Sequence, residues 1–505
     1  MIDAATTPLD PTISAFLNDG PKKLLIGGRW VEAASGKTFE TINPATGAIL
    51  ARVAEGDRED VDRAVAAARH AVDEGPWRLM TASERARIIY RVADLLEERA
   101  EAFAQLETLD NGKPLTVSRR DDVPLSIDYF RYYAGWPTKI EGRTVPINMA
   151  NAFAYTLRQP VGVCAQIVPW NYPLMMAVWK LAPALAAGCS VVLKPAEQTP
   201  LSALLLGQLF LDAGVPEGVV NVIPGYGETA GAALSAHRDV DKIAFTGSTE
   251  VGKLVMQAAG RSNLKKVSLE LGGKSPNIIF ADADLEGAKA GAAAGIFYNM
   301  GQDCTAGSRV FVQEAIYDEV AAAIAEAGQA LKIGNGLDEA TEMGPLVSRE
   351  QLAKVTDYLR IGAQEGAHVL SGGDRALDGD LARGYFVRPT VFAAARNDMR
   401  VAQEEIFGPV VTVIPFKDVD DVVRQGNDVA YGLAAGIWTN NLQKAHQVAA
   451  ALKAGTVWVN TYGGVDPALP FGGFKQSGIG REMGCEAIEL YTEVKSVWMN
   501  LAPPS

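Results

Sequence analysis

Several stretches of the chain set a reactive or polarising side chain beside small residues or glycines: VPWNYP around Asn171, VSLELGG around Glu270, and GQDCTAG around Cys304. A packing cysteine usually has apolar neighbours. That describes Cys164 in VGVCAQIV and Cys189 in AGCSVV, but not Cys304; Cys485 is read as a packing residue too. A thiol attacks as its thiolate, so an ordinary pKa of about 8.5 has to be offset by a positive environment or a bound cofactor. Asp303, directly before Cys304, acts in the opposite sense, because a nearby carboxylate raises a thiol pKa. Asn171 lies between Trp170 and Tyr172, with a proline on either side fixing the backbone. Its amide could serve a developing oxyanion, although an Asx-type turn explains it as well. Glu270 sits in an apolar strand just before two glycines, where burial would lift its pKa towards that of a general base. The other reading is an edge-strand glutamate facing water, and Leu269 and Leu271 on the opposite face are compatible with both.

Two further motifs suit a nucleotide. FTGSTEVG ends a strand and opens a helix. Gly247 and Gly252 permit a tight turn and close approach, and the free N–H groups with the Ser248 hydroxyl suit a phosphate. Taken alone, an ordinary serine-capped turn explains this motif, and the G-x-G-x-x-G fingerprint is absent. In LKPAEQTP, Lys194 and Glu197 fall where an adenosine ribose would sit on such a sheet. A carboxylate there accepts both ribose hydroxyls and repels a 2′-phosphate; a solvated charge pair is the plainer alternative. Combined, a thiol nucleophile, an amide oxyanion donor, a carboxylate base and a nucleotide site describe an acyl-transfer-like oxidation.

The elements that must hold these groups alternate in type. From Pro160 to Gly273, short apolar strands (VGVCAQIV, SVVLKP, GVVNVIPG, KIAFTG, KKVSLELGG) alternate with helical stretches such as LMMAVWKLAPALAAG and LSALLLGQLFLDAG. This predicts parallel βαβ units in a doubly wound sheet, with ligands at the carboxyl ends of its strands. A second α/β segment runs from about Lys274 to about Gly473. Between Arg58 and Ala104 apolar residues recur at helical spacing, and the charges among them read as solvated faces. Residues 1 to about 20 read as an arm. The tail YTEVKSVWMNL alternates like a strand with no local partner, which suggests pairing with another subunit.

The 505 residues call for two or three domains. A net charge of −13 argues against a nucleic-acid partner. The four cysteines and four histidines are scattered, which suggests neither a disulfide framework nor a metal cluster and fits a reducing compartment. The first twenty residues do not read as a signal peptide. Leu174 to Leu193 has membrane-like length but reads as a core helix running into a core strand. A soluble, cytoplasmic protein is expected.

The motifs PWNYP, LELGGKSP, GQDCTAGSR, EEIFGPV and PFGGFKQSGIGRE resemble the NAD(P)-dependent aldehyde dehydrogenase superfamily, from about Leu25 to Trp498. The resemblance implies a Rossmann-like NAD-binding domain (1–140 and 160–272), an α/β catalytic domain (273–476) and an oligomerisation region (141–159 and 477–505) that joins subunits into a homodimer or homotetramer. It implies that Cys304 attacks the aldehyde, that Asn171 and the Cys304 backbone N–H hold the oxyanion, and that Glu270 activates water. It assigns the cofactor to Ile167, Trp170, Lys194, Glu197, Gly247, Ser248, Gly252, Leu271, Gln351, Lys354, Glu405 and Phe407, with NAD favoured over NADP and no metal. Lys180 and Glu482 match positions of a proton relay.

By the same analogy the substrate is bound by Tyr172, Met176, Trp179, Tyr298, Asp303, Thr305, Val465 and Phe471. Aromatic and thioether groups suit an aromatic, phenylacetaldehyde-like, or medium-chain apolar aldehyde. An aromatic box with an acid at Asp303 also suits betaine aldehyde or aminoaldehydes through cation–π contacts. Some members of this fold are non-enzymatic, but the cysteine and glutamate are both present here. Glu270 argues for hydrolysis over transfer to another acceptor. A thiol peptidase would need a histidine partner, and none lies in these motifs.

Overall fold

The computed structural model describes residues 7–502. Its larger sheet has the spatial order Arg29–Val31, Leu24–Ile26, Val220–Val222, Ser190–Lys194, Val163–Ile167, Lys242–Thr246, Lys266–Glu270 and Gly478–Ile479. The five central strands are parallel, and the flanking ones are antiparallel. Chain order runs outward in both directions from Val163–Ile167, so the switch point lies between that strand and Lys242–Thr246, where a doubly wound sheet opens a crevice. Alternation along the strands feeds two cores. Cys164, Val191 and Leu193 enter one, while Val163, Ala165, Val192, Ile243 and Phe245 enter the other. Leu269 and Leu271 belong to the second core, and the period of two turns Glu270 to the opposite face.

A second, mainly parallel sheet has the order His368–Ser371, Thr390–Ala393, Val410–Phe416, Arg309–Gln313, Pro276–Ile279, Ala434–Trp438 and Thr456–Val459. It too buries both faces: Ile278, Phe311 and Ile414 in one core, Ile279, Val310 and Val413 in the other. The membrane-length stretch resolves into helix Pro173–Ala187 and strand Ser190–Lys194. No helix among the described residues is long and apolar enough to cross a membrane.

Four expectations are corrected. Residues Pro11–Asn18 form a helix rather than a loose arm. Asp10 caps it, Ile13 is fully buried, and the segment is tied to Gln105 through the Asp10 N–H at 2.7 Å; residues 1–6 lie outside the described part. Asp60 is not on a solvated face. It is wholly buried, closes a capping box with Asp57, and accepts the Ala34 N–H at 3.0 Å. The tail strand Thr492–Asn500 finds a partner within its own chain, pairing antiparallel with Ala152–Pro160 from Thr492↔Pro160 to Asn500↔Ala152. Cys485, read as a packing residue, is exposed.

Candidate active site

A cleft of about 1360 Å³ opens at the switch point of the larger sheet. Ile167, Trp170, Lys194, Glu197, Gly247 and Ser248 line it. Lys194 is buried at the end of its strand and donates to Glu197 Oε2 at 3.2 Å. Burial lowers the ammonium pKa and the Glu197 charge partly restores it. Ser248 caps helix Thr249–Arg261 by accepting the Val251 N–H, so the plain turn reading and the phosphate reading coexist. The wall also holds Thr246, whose buried Oγ1 has no partner among the described residues; the motif FTG signals it, although it was not among the expected residues. Gly252 and Leu271 touch each other, since a Cβ on Gly252 would lie 2.7 Å from Leu271 Cδ2. They shape the helix–sheet packing rather than the cleft wall.

Glu405, Phe407, Gln351 and Lys354 form a neighbouring group. Glu405 Oε1 accepts the Gly273 N–H at 3.0 Å. A side chain at Gly272 would put its Cβ 2.2 Å from the Glu405 carboxylate, and one at Gly273 would come 2.5 Å from the Cys304 carbonyl, so the paired glycines are required by close approach. Burial raises the Glu405 pKa, offset in part by Lys354 and Lys274. Gln351 donates to the carbonyls of Ile406 and Phe407, at 3.2 and 2.7 Å. Its amide therefore fixes the turn that presents Phe407, whose ring meets Trp170 edge-on at 5.2 Å.

Cys304 lines a second cavity of about 410 Å³, a size suited to a small organic ligand. All eight expected substrate residues line it: Tyr172, Met176, Trp179, Tyr298, Asp303, Thr305, Val465 and Phe471. The wall also includes Asp121, Asp122, Leu125, Met175 and Tyr462, which sequence reasoning missed. Tyr298 donates to Asp121 at 2.9 Å, and Tyr462 to the Thr305 carbonyl at 2.7 Å. Lys113, behind the wall, forms a fully buried ion pair with Asp122, and its ammonium lies 4.2 Å from the Tyr172 ring centre.

Trp170 lines the cleft and Tyr172 lines the second cavity, so the residue between them, Asn171, stands in the partition. Its amide donates to the Gln302 carbonyl at 3.1 Å. The partition is fixed from below: Asn111 donates to the Trp170 carbonyl at 2.7 Å, and the Leu174 N–H reaches Glu107 at 3.2 Å. Glu270 is 2 % exposed, and neither of its oxygens has a hydrogen-bond partner among the described residues. Burial pushes its pKa to about 8, helped by the Glu482 charge and opposed by Lys180. Lys180 and Glu482 are themselves ion-paired on this side of the sheet. Burial also holds the Cys304 thiol well above its usual range, with the charges of Glu270 and Asp303 adding to the effect.

A parallel sheet with a nucleotide-sized cleft at its switch point, beside a small cavity lined by a thiol, has the layout of a dinucleotide-dependent oxidoreductase. Comparison with known proteins narrows that class. The aldehyde dehydrogenase family model matches residues 30–497, and the chain belongs to that family. It is 51 % identical to the mitochondrial aldehyde dehydrogenase of Homo sapiens over 498 residues, covering 98 % of this chain and 95 % of the relative. It is 50 % identical to the mitochondrial benzaldehyde dehydrogenase of Antirrhinum majus over 502 residues, covering 99 % and 92 %. The NAD+ complex of aldehyde dehydrogenase from Bacillus cereus superposes with a TM-score of 0.96 at 54 % identity, covering 98 % of this chain and 100 % of that one.

Proposed function

We propose that the protein oxidises aldehydes to carboxylic acids with NAD, through an acyl group carried on Cys304. The observation that carries this reading is the partition. Asn171 separates a nucleotide-sized cleft from a cavity lined by a thiol, and a carboxyl pushed up to about 8 is buried nearby. The unpartnered Thr246 hydroxyl and the Lys194–Glu197 pair on the cleft wall suit a dinucleotide. NAD bound there supplies a hydride acceptor and a positive charge.

In this reading the residues divide the work. Cys304 Sγ bonds to the aldehyde carbon. Asn171 has an amide N–H left beyond its bond to Gln302, and with the Cys304 backbone N–H it holds the oxyanion. Glu270, once deprotonated, takes a proton from the water that cleaves the acyl–sulfur bond and frees the acid. Lys180 and Glu482 lead that proton away. Ile167, Trp170, Gly247 and Ser248 receive the nucleotide, Lys194 and Glu197 its adenosine ribose, and Glu405 with Phe407 the nicotinamide end. Gly252, Leu271, Gln351 and Lys354 support them.

The favoured substrate is an aromatic, phenylacetaldehyde-like, or medium-chain apolar aldehyde, because Met175, Met176, Trp179, Leu125, Val465 and Phe471 give the cavity a largely apolar wall. A second reading, an amino- or trimethylammonio-aldehyde, draws on Asp303 and Asp121 in the same wall. Initial rates of NADH formation with phenylacetaldehyde, hexanal, betaine aldehyde and 4-aminobutyraldehyde separate the two, with Cys304→Ala as control. Higher kcat/KM for the cationic pair would refute the apolar reading, and activity surviving in Cys304→Ala would refute the mechanism. The exposed Val494, Trp498 and Met499 on the tail ribbon support a homodimer or homotetramer, which light scattering tests. Four free cysteines, two of them buried, are in keeping with the cytoplasm.

A further inference from the structure

We propose that Asn299 is a positioning residue that locks the oxyanion amide of Asn171 to the loop bearing Cys304, so that donor and nucleophile keep a fixed relation. The proposal rests on the roles given above to Asn171 and Cys304.

Helix Leu285–Phe297 ends just before the nucleophile, and the chain then makes an uncommon turn. Asn299, Met300 and Gly301 are consecutive left-handed residues, with φ of 47°, 56° and 67°. L-residues rarely adopt this region, and never as a run without compensation from their surroundings. Here the surroundings are specific. Met300 is buried in the core of the second sheet. A Cβ on Gly301 would lie 2.1 Å from the Gly408 carbonyl, so the turn is pressed against the segment that carries Phe407.

Asn299 itself does something a turn residue does not require. Its side chain is 3 % exposed, and its Nδ2 reaches two segments at once. It donates to the Asn171 carbonyl at 3.1 Å and to the Gln302 carbonyl at 3.0 Å. The Asn171 amide donates to that same Gln302 carbonyl at 3.1 Å. Gln302 is in turn held by the Val347 N–H on its Oε1 at 3.0 Å. The result is a closed ring of three bonds between the partition loop and a residue two positions before Cys304. Without the Asn299 donor, the Gln302 carbonyl would keep, among the described residues, only the Asn171 amide as side-chain donor, and the Asn171 carbonyl would lose this bond. Oxyanion stabilisation depends on donors standing in place before charge develops, and a misplacement of about 1 Å can cost roughly 100-fold in rate.

Asn also tolerates left-handed backbone, so the clamp must be separated from the turn. Asn299→Gly keeps the backbone freedom and removes the clamp. Asn299→Asp keeps the shape and the left-handed tolerance, and replaces the donors with an anion. Both are made in a Cys485→Ser background, since the exposed Cys485 thiol would compete with half-buried Cys304 for the reagent. For each, kcat and KM for NAD are measured with the aldehyde that the parent oxidises fastest, along with the rate of Cys304 alkylation by iodoacetamide without NAD and the melting temperature. The clamp predicts that Asn299→Gly lowers kcat roughly 10- to 100-fold with KM for NAD within about twofold, and changes the alkylation rate at least about threefold. Asn299→Asp should lose as much and move the alkylation profile to higher pH, as an added carboxylate must.

The proposal is overturned if Asn299→Gly keeps kcat and alkylation rate within about twofold of the parent, or if only the melting temperature moves. Failure of both variants to fold would assign Asn299 to the fold and overturn it equally. A parent that alkylates at Cys304 yet oxidises no aldehyde would refute the proposed function instead, and the alkylation rates alone would then decide the role of Asn299.

Discussion

Tyr172 donates its phenolic hydrogen to Asp303 Oδ2 at 2.8 Å, while Asp303 Oδ1 accepts the backbone N–H and the hydroxyl of Thr305 at 2.7 and 2.8 Å. The acid beside Cys304 is thus engaged by three donors and stands as the start of a tight turn. Its charge still adds to the rise in the Cys304 pKa. Asp303→Asn keeps an acceptor for Thr305 and removes the charge. Alkylation of Cys304 should then become half-maximal at lower pH. For phenylacetaldehyde, kcat/KM should stay within about threefold, because the apolar wall is untouched. A fall of about tenfold or more confined to cationic aldehydes would show instead that Asp303 recognises the substrate.

Glu270 yields a pH prediction in two parts. Its carboxyl is raised from 4.5 to about 8, chiefly by burial. A base that works deprotonated should make the hydrolytic step accelerate as pH rises through about 8, and Glu270→Gln should be slow and flat over the same range. The stability sign follows from proton counting. Between 4.5 and about 8 the folded state holds a proton that the unfolded state has released, so stability from this group falls as pH rises. The melting temperature of Glu270→Gln relative to the parent should therefore climb from pH 5 to pH 8, for a difference on the order of a few kcal/mol. A constant difference would mean that Glu270 ionises near its ordinary range.

The groups legible in the sequence share a property: each sits at the end of an apolar strand or beside glycines, where a polar residue breaks a pattern. Asn171, Glu270, Cys304, Lys194 and Ser248 are all of this kind. The polar support beneath them is of another kind. Helix Ala100–Asn111 buries every residue from Ala102 onward, including Gln105, Glu107, Asp110 and Asn111, because helices Pro11–Asn18, Val123–Ala134, Pro173–Ala187 and Leu201–Asp212 all pack against it. A helix buried on all sides has no polar face to reveal its orientation, so LETLDNGK reads like a solvated surface. Asp121 and Asp122 were hidden similarly inside SRRDD, a charge run that ordinarily faces water. The tail strand illustrates a different limit. Its alternation identified a strand, but no local pattern names a partner over 300 residues away in sequence.

The Lys194–Glu197 pair sets the cofactor prediction. Glu197 keeps about a quarter to a third of its side chain in solvent, whereas Lys194 is nearly buried, at 29 % and 3 %, so the carboxylate is the group an entering ribose would meet first. A 2′-phosphate would oppose that charge, while the ammonium behind it is occupied by the same carboxylate. Glu197→Ser removes the repulsion and frees Lys194 as a partner for the phosphate. A hydrogen bond to a charged group contributes about 1.5–3 kcal/mol. The ratio of kcat/KM with NADP to that with NAD should therefore rise roughly 10- to 100-fold. Part of the change should come from weaker use of NAD, because the ribose hydroxyls lose their acceptor. Isothermal titration of both cofactors against the parent and Glu197→Ser checks this without turnover. An unchanged preference would mean that the adenosine ribose is read elsewhere in the cleft, with Arg58 and Arg238 on its wall the next groups to replace.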